Sequence, residues 1–316
     1  MVLFATYGTE GTTSTTWNIH LHAWVFEPES EHFFNRQLIQ QLSHLLDLPD
    51  HSEQRTRFEH RIGPFLVDNE RDKHFSVQTD SRLFNIGPST ANGHIRHTLV
   101  LPRQHTRWVK FRVTERPHAS ASVELIPPTG ISVISDIDDT IKISAVTDKT
   151  QLLRNTFLNP YQAVPGMAQR YQQWQQQGFS FHYLSASPWP LYRALQGFLT
   201  THHFPPGSFH LRHLRLKDGT FFNLFENTKT YKLKHIERIL ADFPKRTFIL
   251  VGDSGEADAE IYAHIARQYP QYIRHIYIRT INNTPTSSTR YKAVFKGLPE
   301  TLWTVFSDPN RLNSLQ

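Results

Sequence analysis

The sequence predicts a two-part chain, a smaller β-rich, sandwich-like region followed by an α/β domain built on a parallel sheet. Three observations predict it. Residues 50–126 carry short strand-like runs separated by Pro, Gly and Asn turns. Residues 131–281 alternate β-branched apolar runs with segments of helical period, joined by short connections. Between them, Pro127-Pro128-Thr129-Gly130 marks the change of rhythm. At 316 residues, two domains are the natural division, 1–128 and 129–316.

In order along the chain, residues 1–16 are rich in Thr, Ser and Gly and read as a frayed end. Trp17 to Phe26 reads as a strand, and Glu27-Pro28-Glu29-Ser30 ends it. Ser30 is placed to cap a helix over about 31–48, with Phe34, Leu38, Leu42, Leu45 and Leu46 on one face and Pro49 as its stop. Strands follow near 73–79, 95–101, 107–113 and 121–126, a rhythm that favours a small sandwich or barrel. His20 and His22 have strand spacing, but with no third ligand nearby they read as strand-face histidines. In the second part, strands are expected at 131–135, 179–184, 209–216, 247–251 and 273–280, and helices at 163–177, 188–202, 231–241 and 256–268. The tail after Asn282 reads as a short packed extension.

Composition narrows the function. The net charge of +6 comes from scattered residues without a block of like charge, so no nucleic-acid partner is expected. The chain has no cysteine, which excludes disulfides, zinc–thiolate sites and thiol catalysis. The start of the sequence lacks the pattern of a signal peptide, and no apolar run approaches the ~18 residues of a transmembrane helix. The sequon Asn282-Asn283-Thr284 means little without a secretory signal. A cytoplasmic protein with at most peripheral membrane contact is expected.

The chemistry concentrates in Ile131-Ser132-Val133-Ile134-Ser135-Asp136-Ile137-Asp138-Asp139-Thr140. An apolar strand ends there in Asp-x-Asp-x-Thr, and ionised carboxylates at a buried strand end need a cation or a reaction to justify them. Open α/β sheets bind ligands at that end of their strands. A calcium loop beginning at Asp136 would need Gly at its sixth position and Glu at its twelfth, where Ile141 and Thr147 stand. A glycosidase pair would come from separate elements. A second strand, Phe248-Ile249-Leu250-Val251, runs into Gly252-Asp253-Ser254-Gly255-Glu256-Ala257-Asp258. Two such clusters in one parallel sheet can converge, and their oxygen ligands suit Mg²⁺. A third strand end places Ser185 at its tip, and Ser187-Pro188 reads as a helix cap followed by proline at the first helical position. Lys229, Lys232 and Lys234 lead into a helix whose start disfavours cations, which hints at an anionic partner for one of them.

These four pieces, in this order, resemble the haloacid dehalogenase-like phosphatases. More closely, Ser135–Lys142, Phe181–Trp189, Phe248–Glu256, Arg154-Asn155-Thr156-Phe157, Val164-Pro165-Gly166-Met167-Ala168 and Asp242-Phe243-Pro244 look like the catalytic domain of the fungal actin-patch phosphatidate phosphatases. The resemblance covers most of 127–281. It implies Mg²⁺-dependent hydrolysis of phosphatidate, met in membranes by peripheral contact, to diacylglycerol and phosphate through an aspartyl-phosphate. By position it implies Asp136 as nucleophile and Asp138 as acid and then base. It implies Asp253 as a Mg²⁺ ligand with Asp136 and the backbone carbonyl of Asp138, and Asp258 in support of the metal. Ser185 would hold phosphoryl oxygens, and Lys232, eight residues before Ala241-Asp242-Phe243-Pro244, fits the family lysine.

Thr140, Ser187 and Trp189 are further candidates for substrate contact, with Trp189 beside Pro188 and Pro190 placed to meet a bilayer interface. Asp139 is read as a solvated or structural residue. The chain has no Pro-x-x-Pro, so recruitment of SH3-type partners through that motif is not expected. Two alternatives stand beside this reading: the same chemistry on a soluble phosphomonoester or phosphoprotein, and a lipid-binding scaffold without activity.

Overall fold

The structure is a computed structural model that describes residues 1–28, 39–40, 42–44, 46–48, 52–80, 82–213, 228–281 and 289–312. Among them the chain divides into two compact units. One comprises Met1–His44, Gly63–Pro128 and Gly207–Phe209; the other comprises Leu45–Ile62, Thr129–Pro206 and His210–Gln316.

The first unit holds β1 (Val2–Leu3), β2 (Thr6–Glu10), β3 (Thr16–Trp24), β4 (Phe26–Pro28), β5 (Val67–Asn69), β6 (Phe75–Gln78), β7 (Leu83–Ile86), β8 (His94–Pro102), β9 (Trp108–Val113) and β10 (Ser120–Leu125). Eight of them form one sheet in the order β1-β3-β2-β10-β9-β6-β7, with β8 also paired to β3. Its pairs are antiparallel apart from β2 with β10. Alternation sets the inner face: Trp17, Ile19, Leu21 and Ala23 of β3 meet Val109, Phe111 and Val113 of β9 in a single core that also takes Ile86 of β7 and Ile95 of β8. The β-rich expectation holds as one eight-stranded sheet over one core, with β4 and β5 paired separately; strand rhythm shows which side chains turn inward but not which edges pair. The expected frayed end is corrected. Residues 2–3 and 6–10 are paired strands, since β1 and β2 both bond to β3. His20 and His22 are strand-face residues, bonded to Thr9 at 3.1 Å and to His94 at 2.9 Å.

The helix expected over 31–48 lies largely outside the described residues, as do Ser30, Phe34, Leu38, Leu45, Pro49 and the sequon; 39–40 and 42–44 are helical, and Leu42 and Leu46 are buried. A helix that the strand rhythm hides, α1 (Glu53–Ile62), belongs to the second unit.

That unit continues with β11 (Thr129–Ser135), α2 (Lys149–Phe157), α3 (Met167–Gln176), β12 (Ser180–Pro188), α4 (Tyr192–Thr201), β13 (Ser208–Arg212), α5 (Thr228–Asp242), β14 (Lys245–Asp253), α6 (Asp258–Gln268), β15 (Ile273–Arg279), α7 (Thr289–Val294) and β16 (Trp303–Phe306). The sheet runs β13-β12-β11-β14-β15-β16. The pairings of β11 with β12 and β14, of β14 with β15 and of β15 with β16 are all parallel. Central strands buried on both faces read as near-continuous apolar runs, as Val133-Ile134 and Phe248–Val251 do. The expected extension after Asn282 is in part a sixth strand, β16, bonded to β15.

Two features of this sheet position the site. The chain leaves β11 toward β12 on one side and later returns on the other side as β14, which makes the carboxyl ends of β11 and β14 a topological switch point. Register then sets the neighbours: Ser135 stands opposite Val251 on β14 and opposite Tyr183 on β12. Asp136, Asp253 and Ser185 therefore emerge along one edge.

Candidate active site

Beyond Ser135 the backbone stays on the sheet for one residue, with Asp136 N–H donating to the Val251 carbonyl at 2.9 Å, and then turns. Asp139 makes the turn with φ of 51°, a left-handed conformation that Asp tolerates better than most residues. Its carboxylate accepts backbone N–H groups from Ser144 (2.7 Å), Ala145 (3.0 Å) and Val146 (2.7 Å). Asp139 is thus structural and only 5% exposed, which settles the choice between solvated and structural.

Asp138 enters a fully served pocket. Oδ1 lies 2.8 Å from Lys142 Nζ and accepts the Ser144 hydroxyl at 2.7 Å. Oδ2 accepts the hydroxyls of Ser185 and Ser187, each at 2.9 Å. Burial alone would raise its pKa; the Lys142 ammonium and the hydroxyl donors outweigh burial and hold it at about 2. Lys142 and Ser144 are site residues that the strand-end reading missed. The signals for Lys142 were its place four residues after Asp138 and at the end of the resembling segment Ser135–Lys142.

Asp136 lies in a different setting. Oδ2 accepts the Thr140 hydroxyl at 3.1 Å and Oδ1 accepts Lys232 Nζ at 2.9 Å. The same ammonium reaches Glu256 Oε2 at 2.8 Å and Asp258 Oδ1 at 2.6 Å. Of the three lysines considered, Lys232 is buried while Lys229 and Lys234 are exposed. Asp253, at the end of β14, accepts the N–H groups of Gly255 (2.6 Å) and Glu256 (3.2 Å) on Oδ1. Its Oδ2 is buried with no hydrogen-bond partner among the described residues. Gly252 lets α6 come this close, because a Cβ there would stand 2.7 Å from the Tyr262 ring and against the Asp258 carboxylate.

Oxygens of Asp136, Asp253 and Asp258 lie within 4.8 Å of one another. With Glu256, four carboxylates face the single ammonium of Lys232, a formal excess of three negative charges. Burial pushes Asp136 and Asp253 well above the carboxylate range, and their acidic neighbours add to that push; Lys232 opposes it at both. For Lys232, burial acts to lower the pKa, yet Asp136, Asp258 and Glu256 raise it well above the usual value. An oxygen-only donor set with excess negative charge and an orphaned carboxylate oxygen fits a hard divalent cation. The Asp138 carboxylate, engaged by Lys142 and three hydroxyls, stands outside this triad.

Two expectations at the third strand end are corrected. Ser187 is not a helix cap: β12 runs on through Pro188, a short 3₁₀ turn (Trp189–Leu191) follows, and the Ser187 hydroxyl goes to Asp138. Trp189 is not at a surface. It is 2% exposed and packs with its ring 6.3 Å from that of Tyr192, so it cannot touch a bilayer.

A parallel α/β unit with a buried acidic triad and a lysine at its switch point defines a class of phosphoryl- or metal-handling domain. The comparisons narrow it. The family model for the catalytic domain of the phosphatidate phosphatase APP1 matches residues 131–280. The Saccharomyces cerevisiae protein Phosphatidate phosphatase APP1 is 38% identical over 177 residues, 53% of this chain and 30% of that protein. An uncharacterized protein of Schizosaccharomyces pombe is 32% identical over 225 residues, 66% of this chain and 36% of its own. The chain thus spans about a third of the length of the curated relatives it matches. A Thermotoga maritima crystal structure, provisionally a beta-phosphoglucomutase, aligns over 59% of this chain and 100% of its own at 12% identity and a TM-score of 0.33, too low to carry an argument. Residues 131–280 are thus similar to the catalytic domain of the APP1 type.

Proposed function

We propose that this chain is a Mg²⁺-dependent phosphatidate phosphatase with a haloacid dehalogenase-like catalytic domain over about 129–316, preceded by a β-rich domain over about 1–128. The observation that carries the reading is the buried triad Asp136, Asp253 and Asp258 with Lys232, inside the segment that matches the APP1 catalytic family. Asp136, Asp253 and Asp258 would hold the cation, with the Asp138 backbone carbonyl as a further ligand. When bound, Mg²⁺ would offset charge on a phosphate monoester dianion that otherwise repels a carboxylate.

The chain's own residues then divide the work. An oxygen of Asp136 attacks phosphorus, the ester P–O bond breaks, and Asp138, having taken a proton from solvent as substrate binds, gives it to the leaving alkoxide. Water next attacks the aspartyl-phosphate, its proton passes to Asp138, and phosphate and the Asp136 carboxylate are released. Lys232 steadies the attacking carboxylate, and Thr140 fixes its orientation through Oδ2. In the ligand-free site Asp138 is held ionised, the form that serves the second step. A phosphoryl group that drew the Ser185 and Ser187 hydroxyls to its own oxygens would remove two donors from Asp138 and raise its pKa, as the first step requires.

Phosphatidate would be met at a membrane surface by peripheral contact, since no described helix is long and apolar enough to cross one. The burial of Trp189 removes the one interfacial contact expected near Ser185, and this favours a soluble phosphomonoester as the second reading. Phosphate release with Mg²⁺ from phosphatidate vesicles and from soluble esters separates the two. Vesicle turnover that disappears in Asp136→Asn supports the lipid reading; turnover of soluble esters alone overturns it.

A further inference from the structure

The geometry points to Arg61, on a helix distant in sequence from the catalytic segment, as a positioning residue for the acid/base end of the site. It would act through the ring of Tyr161 on Lys142 and thereby on Asp138. For its catalytic consequence the inference rests on the role proposed for Asp138.

α1 carries only two apolar residues toward its unit, Phe58 and Ile62, both buried, with the Phe58 ring 6.4 Å from that of Phe157 on α2. What it buries beside them is a cation. Arg61 is 8% exposed, and its Nη1 donates to the carbonyls of Thr156 and Asn159, both at 2.8 Å. Arg57 adds a bond to the Leu158 carbonyl at 2.6 Å. These are carbonyls at and beyond the carboxyl end of α2, where a helix leaves its acceptors unsatisfied and its dipole favours positive charge. The two arginines therefore hold the segment that leads from α2 into Tyr161.

The Tyr161 ring carries two cations. The Arg61 guanidinium lies 3.7 Å from its centroid and the Lys142 ammonium 4.8 Å. The Tyr161 hydroxyl also donates to the Thr156 carbonyl at 3.1 Å, so ring and arginine share one anchor. Lys142 is 1% exposed, and beyond the ring its partners are Asp138 and Ser144. A lysine has a flexible stem and a point charge, so its direction depends on what surrounds it. Here the surroundings on one side are a ring held by Arg61. Loss of the guanidinium removes one face of the ring's support, leaving its hydroxyl bond to Thr156 and its contact with Phe198, and the ammonium that orients Asp138 loses part of its backing. The matched catalytic segment begins at residue 131, so this would make α1 a working part of the site that the segment does not include.

The test uses the full chain with lysine-selective ¹⁵N labelling, and Lys142→Met and Lys232→Met to assign the two buried ammonium signals. In Arg61→Met and Tyr161→Leu the Lys142 signal is expected to shift or broaden while the Lys232 signal stays in place. Loss of both signals, or of neither, overturns the inference, and this readout does not depend on any activity. The catalytic arm compares an alkyl ester, which needs a proton on its leaving group, with p-nitrophenyl phosphate, which needs one far less. Arg61→Met should lower kcat on phosphatidate about tenfold and leave p-nitrophenyl phosphate within about twofold, with KM little changed. Arg61→Lys should recover part of the loss, and Arg61→Met should add little in a Lys142→Met background. An equal loss on both esters would mark Arg61 as merely structural. A parent inactive on both esters, with the Lys142 signal still responding to Arg61→Met, would sink the phosphatase reading and leave the positioning contact standing.

Discussion

Two acidic clusters sit at the same sheet edge and are balanced in opposite ways. Asp138 has one carboxylate and four donors, Lys142, Ser144, Ser185 and Ser187, and its pKa is held at about 2. Around Lys232 the ratio is inverted: three carboxylates bond one ammonium and Asp253 lies beside them, Asp136 and Asp253 are pushed up by burial and then by Asp258 and Glu256, and Asp253 Oδ2 has no hydrogen-bond partner among the described residues. Burial is nearly complete in both places, so it does not explain the difference. The protein completes the first cluster with its own side chains and leaves the second short of positive charge. A residue needed with its charge under tight control fits the first setting, and a cation site fits the second.

The largest effect should come from Asp136→Asn. As the proposed nucleophile it should lose at least about 10³-fold in phosphate release, worth ~4 kcal/mol of transition-state stabilisation, with its fold intact by circular dichroism. A variant that turned over as fast as the parent would remove the nucleophile assignment.

Next, Asp138→Asn tests the balanced cluster as a matter of stability. It leaves the buried Lys142 ammonium without its counter-ion, and breaking one partner of a buried pair costs roughly 3–5 kcal/mol. The parent should show the linked pH dependence. The folded pKa, about 2, lies below the ordinary 3.8, so the contribution is complete above pH 3.8 and is lost as pH falls toward 2. It amounts to about 2 kcal/mol. Urea unfolding of both proteins at pH 7 and pH 3 reads this: the gap between them should narrow in acid.

Asp253→Asn should do the reverse, and this is the sharpest contrast. Without metal it removes a crowded buried charge, so stability should rise by on the order of 1–2 kcal/mol. With Mg²⁺ the order inverts. Ligand at 100 times its Kd adds about 2.7 kcal/mol to the parent, and the variant should gain far less. Thermal melts with chelator and with Mg²⁺ decide it. If Asp253→Asn destabilised the metal-free protein as Asp138→Asn does, the two clusters would not differ as described.

How much of this was legible in the residues depended on distance along the chain. Asp136, Ser185 and Asp253 stood out because each ends an apolar strand, a signal contained within ten residues, and a parallel sheet brings such ends to one edge. Lys142, Ser144 and Glu256 were hidden because a lysine or serine gains meaning only from what faces it. Helix α1 was hidden for a similar reason. Its inward face is Phe58, Ile62 and an arginine, too little apolar periodicity to announce a helix. Trp189 misled because tryptophan's preference for interfaces says nothing about a particular tryptophan, and this one is interior. The strand order of the first unit was beyond reach as well, since alternation is local and edge pairing is not.

The smallest effect concerns a cation this unit must keep discharged. His182, on β12, is fully buried, and burial lowers its pKa to about 3, with Arg246 opposing its charge further. Between that value and the ordinary 6.5, the unfolded chain binds a proton that the folded one refuses. Stability therefore rises with pH across this window and is lost as pH falls below 6.5. From pH 6.5 to pH 5.5 the cost is about 1 kcal/mol, well above the window in which Asp138 titrates. His182→Gln, which cannot take the proton, should remove its share of that slope, leave the share of His275, whose pKa burial lowers to about 4, and leave the acid loss below pH 4 in place. If parent and variant declined in parallel from pH 6.5 to pH 5.5, the neutral interior assigned to β12 would be wrong. If they diverged only there, the balanced carboxylate and the buried imidazole would be shown to titrate as separate parts of one sheet.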